Sequence, residues 1–103
     1  MILYLVELDV DATVAAAYRA WLAGHVREML TLPGFVAAEI FERREPPVAA
    51  GRIALCVHYR LASAADLERY LREDAPRLRA QGTARFGDKF SARRQVLVPL
   101  PPP

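Results

Sequence analysis

The chain has one cysteine, one lysine, one tryptophan, two histidines and no long apolar run. Each shortage removes a class of protein. With Cys56 alone no internal disulfide can form, so packing must hold the fold. The start Met-Ile-Leu-Tyr lacks the basic region and small-residue cleavage site of a secretory leader, so a cytoplasmic location is expected. No stretch approaches the ~18 apolar residues of a membrane span, and mean hydropathy is only +0.08. Fourteen basic residues face twelve acidic ones, and a formal charge of +2 gives no strong field for nucleic acid or an anionic lipid surface. Neither nucleic acid nor a membrane is expected as a partner. All the basic residues but Lys89 are arginine, which together with abundant alanine reflects GC-rich coding rather than a binding signal. The GxGxxG, Walker, HExxH and GxSxG motifs are absent, and with them the usual markers of dinucleotide, nucleoside triphosphate, zincin and lipase chemistry. Any catalysis is then expected to be cofactor-poor.

What is present is 103 residues, 53% hydrophobic and 25% charged, the size and mix of one ordered domain. A domain this small buries only ~60–70% of the surface its unfolded chain exposes, so leftover apolar faces invite a second copy.

Hydrophobic periodicity divides the chain. Residues 2–10 have one fully apolar parity (Ile2, Tyr4, Val6, Leu8, Val10) and one mixed parity, which predicts a strand. Asp11 or Thr13 offers a cap for a helix over 13–31, ending before Pro33-Gly34. On that helix Val14, Tyr18, Trp21, Leu22, His25 and Met29 share one stripe. Residues 35–44 and 52–61 read as a strand hairpin around Pro46-Pro47 and Gly51, the second strand again alternating. Ser63 and Asp66 resemble a capping box for a helix that carries Leu67, Tyr70, Leu71, Ala75 and Leu78, bends at Pro76 and ends at Gly82. A short link over 83–88 leads to a last strand over 89–98. Residues 1–98 thus make a single domain, followed by a proline-rich tail, 99–103, expected to be mobile. The order βαββαβ predicts an α+β, ferredoxin-like fold: a four-stranded antiparallel sheet with two helices on one face. The other sheet face carries both apolar and charged groups, and a homodimer burying sheet against sheet accommodates both.

His25 is the most informative single residue, because an imidazole in the middle of an apolar stripe must find a partner. It is either a core histidine bonded to a backbone carbonyl or a tyrosine, or a base or ligand-binding group facing a cavity, with Glu28 to orient it. Tyr4, Tyr59, Tyr18, Trp21 and Tyr70 bring polar tips to the same interior, as a pocket or as an aromatic core. Weaker signals are Cys56 with His58 on one strand face, too few soft ligands for a metal site. Arg85-Phe-Gly-Asp-Lys-Phe90 is akin to an RNA-recognition motif but enters the wrong strand, and Pro99-Leu-Pro-Pro matches PxxP in a terminal segment.

The opening Met-Ile-Leu-Tyr4, the Trp21-Leu-Ala-Gly-His25 of the first helix, and the run from Tyr70 (Tyr-Leu-Arg-Glu-Asp-Ala-Pro-Arg-Leu-Arg) into Arg85-Phe-Gly-Asp-Lys-Phe90 carry a resemblance over nearly the whole chain. On these residues the chain resembles a bacterial family of uncharacterised short proteins in the dimeric α+β barrel superfamily, related to the antibiotic-biosynthesis monooxygenases. The resemblance implies a sheet-to-sheet dimer with a ligand cavity between sheet and helices. Members of the superfamily oxidise aromatic polyketides without a cofactor, degrade haem, or bind small organic acids. The haem degraders use an Asn, Trp and His set, against which this chain offers Tyr4 on its first strand and Trp21 and His25 on its first helix. The expected function is binding of a small aromatic or quinone-like molecule, with monooxygenase-like chemistry in which His25 takes a phenolic proton. Tyr4 and Tyr59 would hold the ligand's oxygens, and Trp21, Tyr70, Arg85 and Phe86 would contact or wall the ligand. The competing expectation is a non-catalytic ligand-sensing or protein-interaction module.

Overall fold

Alternation at the start of the chain produces β1 (Ile2–Asp11), whose inward parity Ile2, Tyr4, Leu8 and Val10 is buried. The computed structural model describes residues 1–103. β1 is followed by a single 3-10 turn, α1 (Ala15–Met29), β2 (Phe35–Glu42), β3 (Arg52–Leu61), α2 (Ala64–Glu73), α3 (Ala75–Phe86), a second 3-10 turn and β4 (Phe90–Leu97). The sheet runs β2-β3-β1-β4 with every neighbour antiparallel, the ferredoxin-like arrangement. Register sets Tyr4 opposite Tyr59 on β3 and Val96 on β4. Because side chains alternate across a strand, these residues share the face that the helices cover. Eighteen buried side chains form one core there, with Val10, Leu61 and Leu78 fully excluded from solvent.

The entry to α1 is made by Asp11, whose carboxylate accepts from the Thr13 backbone N–H at 2.9 Å and from the Thr13 hydroxyl at 2.7 Å. Those bonds hold the Asp11 carboxyl below its ordinary range. They also close a 3-10 turn over Ala12–Val14, so the α-helix proper starts two residues later than its periodicity predicts and ends at Met29. The hairpin strands are shorter than expected at one end: β2 stops at Glu42, where charge and Pro46-Pro47 end the pairing.

The second helical region corrects the sequence reading. A single helix bent at Pro76 was expected, but the chain breaks at Asp74 (φ −117, ψ −33) into α2 and α3. Pro76 lacks the N–H that would continue the ladder, and its ring suits the first turn of a new helix. α3 also runs on past Gly82 to Phe86, where Gly87 at φ +56 ends it, so the segment expected to be a link is mostly helix. At the head of α2 the Ser63 hydroxyl accepts from the Asp66 N–H at 3.2 Å and donates to the Asp66 carboxylate at 2.8 Å. That carboxylate lies against Gly34, whose φ of +83 turns the chain into β2 and whose missing Cβ leaves room for Asp66.

The far face of the sheet has no helix over it. Leu3, Leu5, Glu7 and Asp9 alternate onto it from β1, beside Arg60, His58, Cys56 and Ala54 from β3 and Leu97, Gln95, Arg93 and Ser91 from β4. Residues 98–103 lie beyond β4, exposed and without regular structure. No helix is long and apolar enough to cross a membrane.

Candidate functional site

Between the sheet and its helices the core does not close. Along β1 and β4 the inward side chains shorten from tyrosine to Val6 and Ala92, and α3 presents Gly82, so the elements are held apart by the aromatic residues around them. The space left is a cavity of about 350 Å³, near the lower end of the ~300–1,000 Å³ usual for small-molecule sites. Tyr4 and Tyr59 line it from the sheet, Trp21 and His25 from α1, and Tyr70 from α2.

The α-helical repeat brings His25 one turn after Trp21, and the two rings stack with centroids 4.8 Å apart and planes 15° apart. The hydrogen-bond partner that a structural histidine needs at Nδ1 is missing. His25 Nδ1 is buried without a hydrogen bond, the one side-chain nitrogen or oxygen of the protein in that condition. Burial is also the main reason its pKa is lowered; Arg94 adds to that effect and Glu28 opposes it. The imidazole is therefore held neutral, with a lone pair or an N–H unclaimed by the protein. Glu28 does not orient it, because its carboxylate turns to Arg77 at 3.7 Å.

The tyrosines divide into one that is tied and three that are not. Arg79 Nη2 donates to the Tyr4 hydroxyl at 3.1 Å. Tyr18, Tyr59 and Tyr70 have no side-chain partner within the protein, and burial pushes all three phenols up, Tyr70 to about 12. They stay neutral at any physiological pH, available as donors and acceptors toward a molecule in the cavity. Ring contacts fix their positions: Tyr4 lies 6.0 Å from Tyr59 and 5.9 Å from Tyr70, and Phe35 wedges against Tyr59 and Tyr70 at 5.6 and 5.2 Å.

Five of the seven residues singled out from the sequence thus meet on one wall or another: His25, Tyr4, Tyr59, Trp21 and Tyr70. Arg85 and Phe86 do not. Phe86 is buried behind Tyr18 and Trp21, at 4.9 and 5.8 Å, and the exposed Arg85 lays its guanidinium over the Phe86 ring at 5.5 Å. Their helix runs through the segment read as a link, which rotates Arg85 away from the cavity. With Phe86 in the core and Phe90 on the cavity wall, the RNA-like motif offers no stacking surface on the open sheet face. Cys56 and His58 share that open face, where Phe41 packs on the imidazole at 4.8 Å. No three His, Cys, Asp or Glu side chains are grouped as metal ligands anywhere in the protein.

Sequence reasoning missed Arg79 and Arg94, the two charged residues that line the cavity. Arg94 carried a readable signal, since Phe90, Ala92, Arg94 and Val96 form the inward parity of β4 and an arginine in that row is out of place. Arg79 follows Ala75 by one helical turn, a weaker clue that a break at Asp74 obscures.

A family model described as a domain of unknown function (DUF4286) matches residues 1–100. No curated protein matches the chain. Among solved structures, a Deinococcus radiodurans protein provisionally named an antibiotic biosynthesis monooxygenase superposes with a TM-score of 0.75 at 12% identity, over 99% of this chain and 95% of its own. SnoaB, a cofactor-independent oxygenase from Streptomyces nogalater, gives 0.68 at 10% identity over 98% and 95%. MhuD, a heme-degrader from Mycobacterium tuberculosis with two hemes bound in its active site, gives 0.65 at 15% identity over 100% of both chains. At such identities the likeness establishes the fold, that of the antibiotic-biosynthesis-monooxygenase-like proteins, and leaves the chemistry to be argued from the site.

Proposed function

Since the chain belongs to the DUF4286 family, whose description names no activity, we propose its function from the cavity: it binds a small aromatic phenol and oxidises it with dioxygen, without a cofactor. One observation carries this reading. His25 lines the cavity with an imidazole that burial keeps neutral and that no hydrogen bond of Nδ1 ties down, beside Tyr18, Tyr59 and Tyr70, whose phenols burial also keeps neutral. A neutral imidazole there is a proton acceptor waiting for a ligand hydroxyl.

The chemistry needs little from the protein. His25 removes the phenolic proton; the phenolate passes an electron to dioxygen, and the radical pair joins through a C–O bond at the ring carbon para to the oxygen. The resulting hydroperoxide loses water to give a quinone, so one oxygen atom stays in the product and the other leaves as water. The chain's part is to hold the ring against Trp21, take and return the proton, and keep water from the intermediate. Positioned bases of this kind contribute about 10²–10⁴-fold. The similarity to a protein described as a cofactor-independent oxygenase supports the reading at the level of fold.

The same reading includes a homodimer through the open sheet face. Leu5 lies at its centre, opposite His58 and Gln95, with Glu7 opposite Arg93 on β4, Asp9 held by Arg52, and Arg60 opposite Leu3 at the other end. An apolar centre with both charge signs around it is a self-complementary surface for a twofold axis.

Oxygen consumption with 1-naphthol tests the oxygenase reading. The purified protein should consume one dioxygen per quinone formed, and His25→Gln, folded by circular dichroism, should be slower by about 100-fold or more. Equal rates in the two proteins would remove His25 from the chemistry. Binding of the phenol without any oxygen uptake would favour the ligand-sensing module instead.

A further inference from the structure

The cavity wall carries formal charge of one sign. Twenty residues line the space; Arg79 and Arg94 are among them, and no aspartate or glutamate is. Five of the other eleven arginines are in ion pairs: Arg52 meets Asp9 at 2.7 Å, Arg19 meets Glu42 at 3.2 Å, and Arg69, Arg72 and Arg77 meet Glu73, Asp74 or Glu28. The two cavity arginines have no ion pair. Arg79 makes its one side-chain hydrogen bond to the Tyr4 hydroxyl, and Arg94 makes none with a side chain. Arg94 stands on β4 opposite Val6, two residues along β1 from Tyr4, whose hydroxyl accepts from Arg79. The rest of the wall is mostly hydrophobic, with Trp21, Leu22, Met29 and Phe90 among its apolar residues and His25, Thr83 and Ser91 among its polar ones.

Arg79 and Arg94 line the cavity while remaining exposed to solvent, and the planar fork of an unpaired guanidinium matches a carboxylate. We infer that the cavity selects an aromatic carboxylic acid, its carboxylate engaged by Arg79 and Arg94 and its ring laid against Trp21 and Phe90. Tyr4 on β1 holds the Arg79 guanidinium of α3 in place for that contact through their hydrogen bond. The inference rests on the reading of this space as a ligand cavity and adds to it a permanent negative charge on the ligand. A preformed carboxylate supplies binding before His25 removes any proton.

Titration calorimetry of the full chain at pH 7.5 with 2-naphthoate and 2-naphthol separates the charge from the ring. Naphthoate should bind at least about tenfold more tightly than naphthol, the size of one charge-assisted hydrogen bond. Arg94→Gln and Arg79→Gln should each remove about that factor for naphthoate and leave naphthol unchanged, while Arg79→Lys keeps part of it. Because Arg94 has no ion pair or side-chain hydrogen bond to lose, Arg94→Gln tests the inference in a protein whose fold is undisturbed. Naphthol binding as tightly as naphthoate, or naphthoate binding that ignores Arg94→Gln, would overturn the carboxylate and leave the cavity standing. Failure of both compounds to bind would overturn the cavity and the carboxylate together.

Discussion

Replacing His25 by phenylalanine should make the fold more stable while removing its proton acceptor. Nδ1 is buried with no hydrogen bond, and a buried polar atom left unsatisfied costs about 1–3 kcal/mol. Phenylalanine removes that cost and keeps a flat ring to stack on Trp21, now at 4.8 Å. Its helix propensity is close to that of histidine, so the backbone of α1 is unaffected. The slightly larger ring projects toward the cavity, where space exists, rather than into packed side chains. The net gain should be about 1 kcal/mol, which for a domain of this size raises Tm by roughly 4–8 °C. The effect should also depend on pH. Burial lowers the His25 pKa below the 6.5 of the unfolded chain, so the unfolded state takes up a proton first as pH falls. The neutral imidazole's contribution is whole above pH 6.5 and is lost as pH falls through the lower folded pKa, so the advantage of His25→Phe should widen between pH 7 and pH 5. Thermal unfolding followed by circular dichroism at both values measures this. A variant less stable than the wild type at pH 7 would mean that the imidazole makes a stabilising bond, and the argument for a functional His25 would fall with it.

Three further perturbations address other parts of the structure. A Cβ at Gly82 would sit 3.0 Å from Trp21 Cη2 and 3.4 Å from Phe90 Cζ; Gly82→Ala should therefore push the indole into the cavity, shift the fluorescence of the chain's one tryptophan and weaken 2-naphthoate about tenfold, and an unchanged emission spectrum and affinity would refute the close packing. Gly34→Ala forces a side chain onto a φ of +83 and into Asp66; urea unfolding should register a loss above about 2 kcal/mol, part of it restored in the double variant with Asp66→Ala, and full additivity of the two changes would deny the contact. Leu5→Arg puts a charge at the centre of the open sheet face, and sedimentation should find a dimer for the wild type and a folded monomer for the variant. A monomeric wild type at 100 µM, a concentration of about 10⁻⁴ M at which a specific dimer assembles, would sink that interface.

Much of the architecture was legible because period and burial are linked locally. The inward parity of β1 and of β3, and the stripe Tyr18, Leu22, His25 and Met29 on α1, follow from counting by two and by three or four. The same counting put Tyr4, Tyr59, Trp21 and His25 on one interior. It failed at Pro76, where a missing N–H was read as a bend and the chain instead began a new helix, since nothing local says whether two half-helices remain collinear. That error carried forward, because the turn of α3 decides which way Arg79 and Arg85 face. Arg94 was within reach of the alternation of β4 and was discounted with the other arginines as a consequence of coding bias.

The sequence by itself determined which side chains face inward, that two faces of one sheet differ, and that an imidazole lies in an apolar row. These are properties of each element taken singly, and a one-dimensional pattern carries them. Only the tertiary structure decided that the interior is open, that His25 Nδ1 is without a partner and that Arg79 and Arg94 are without acids. A cavity is the difference between the space that several elements enclose and the volume of their side chains, and an unpaired charge is the absence of a partner from every neighbouring element. Both are set by distances between segments far apart in the chain. Arg52 and Arg94 stand in strands of the same sheet, yet one meets Asp9 at 2.7 Å across the open face and the other faces a cavity with no acid.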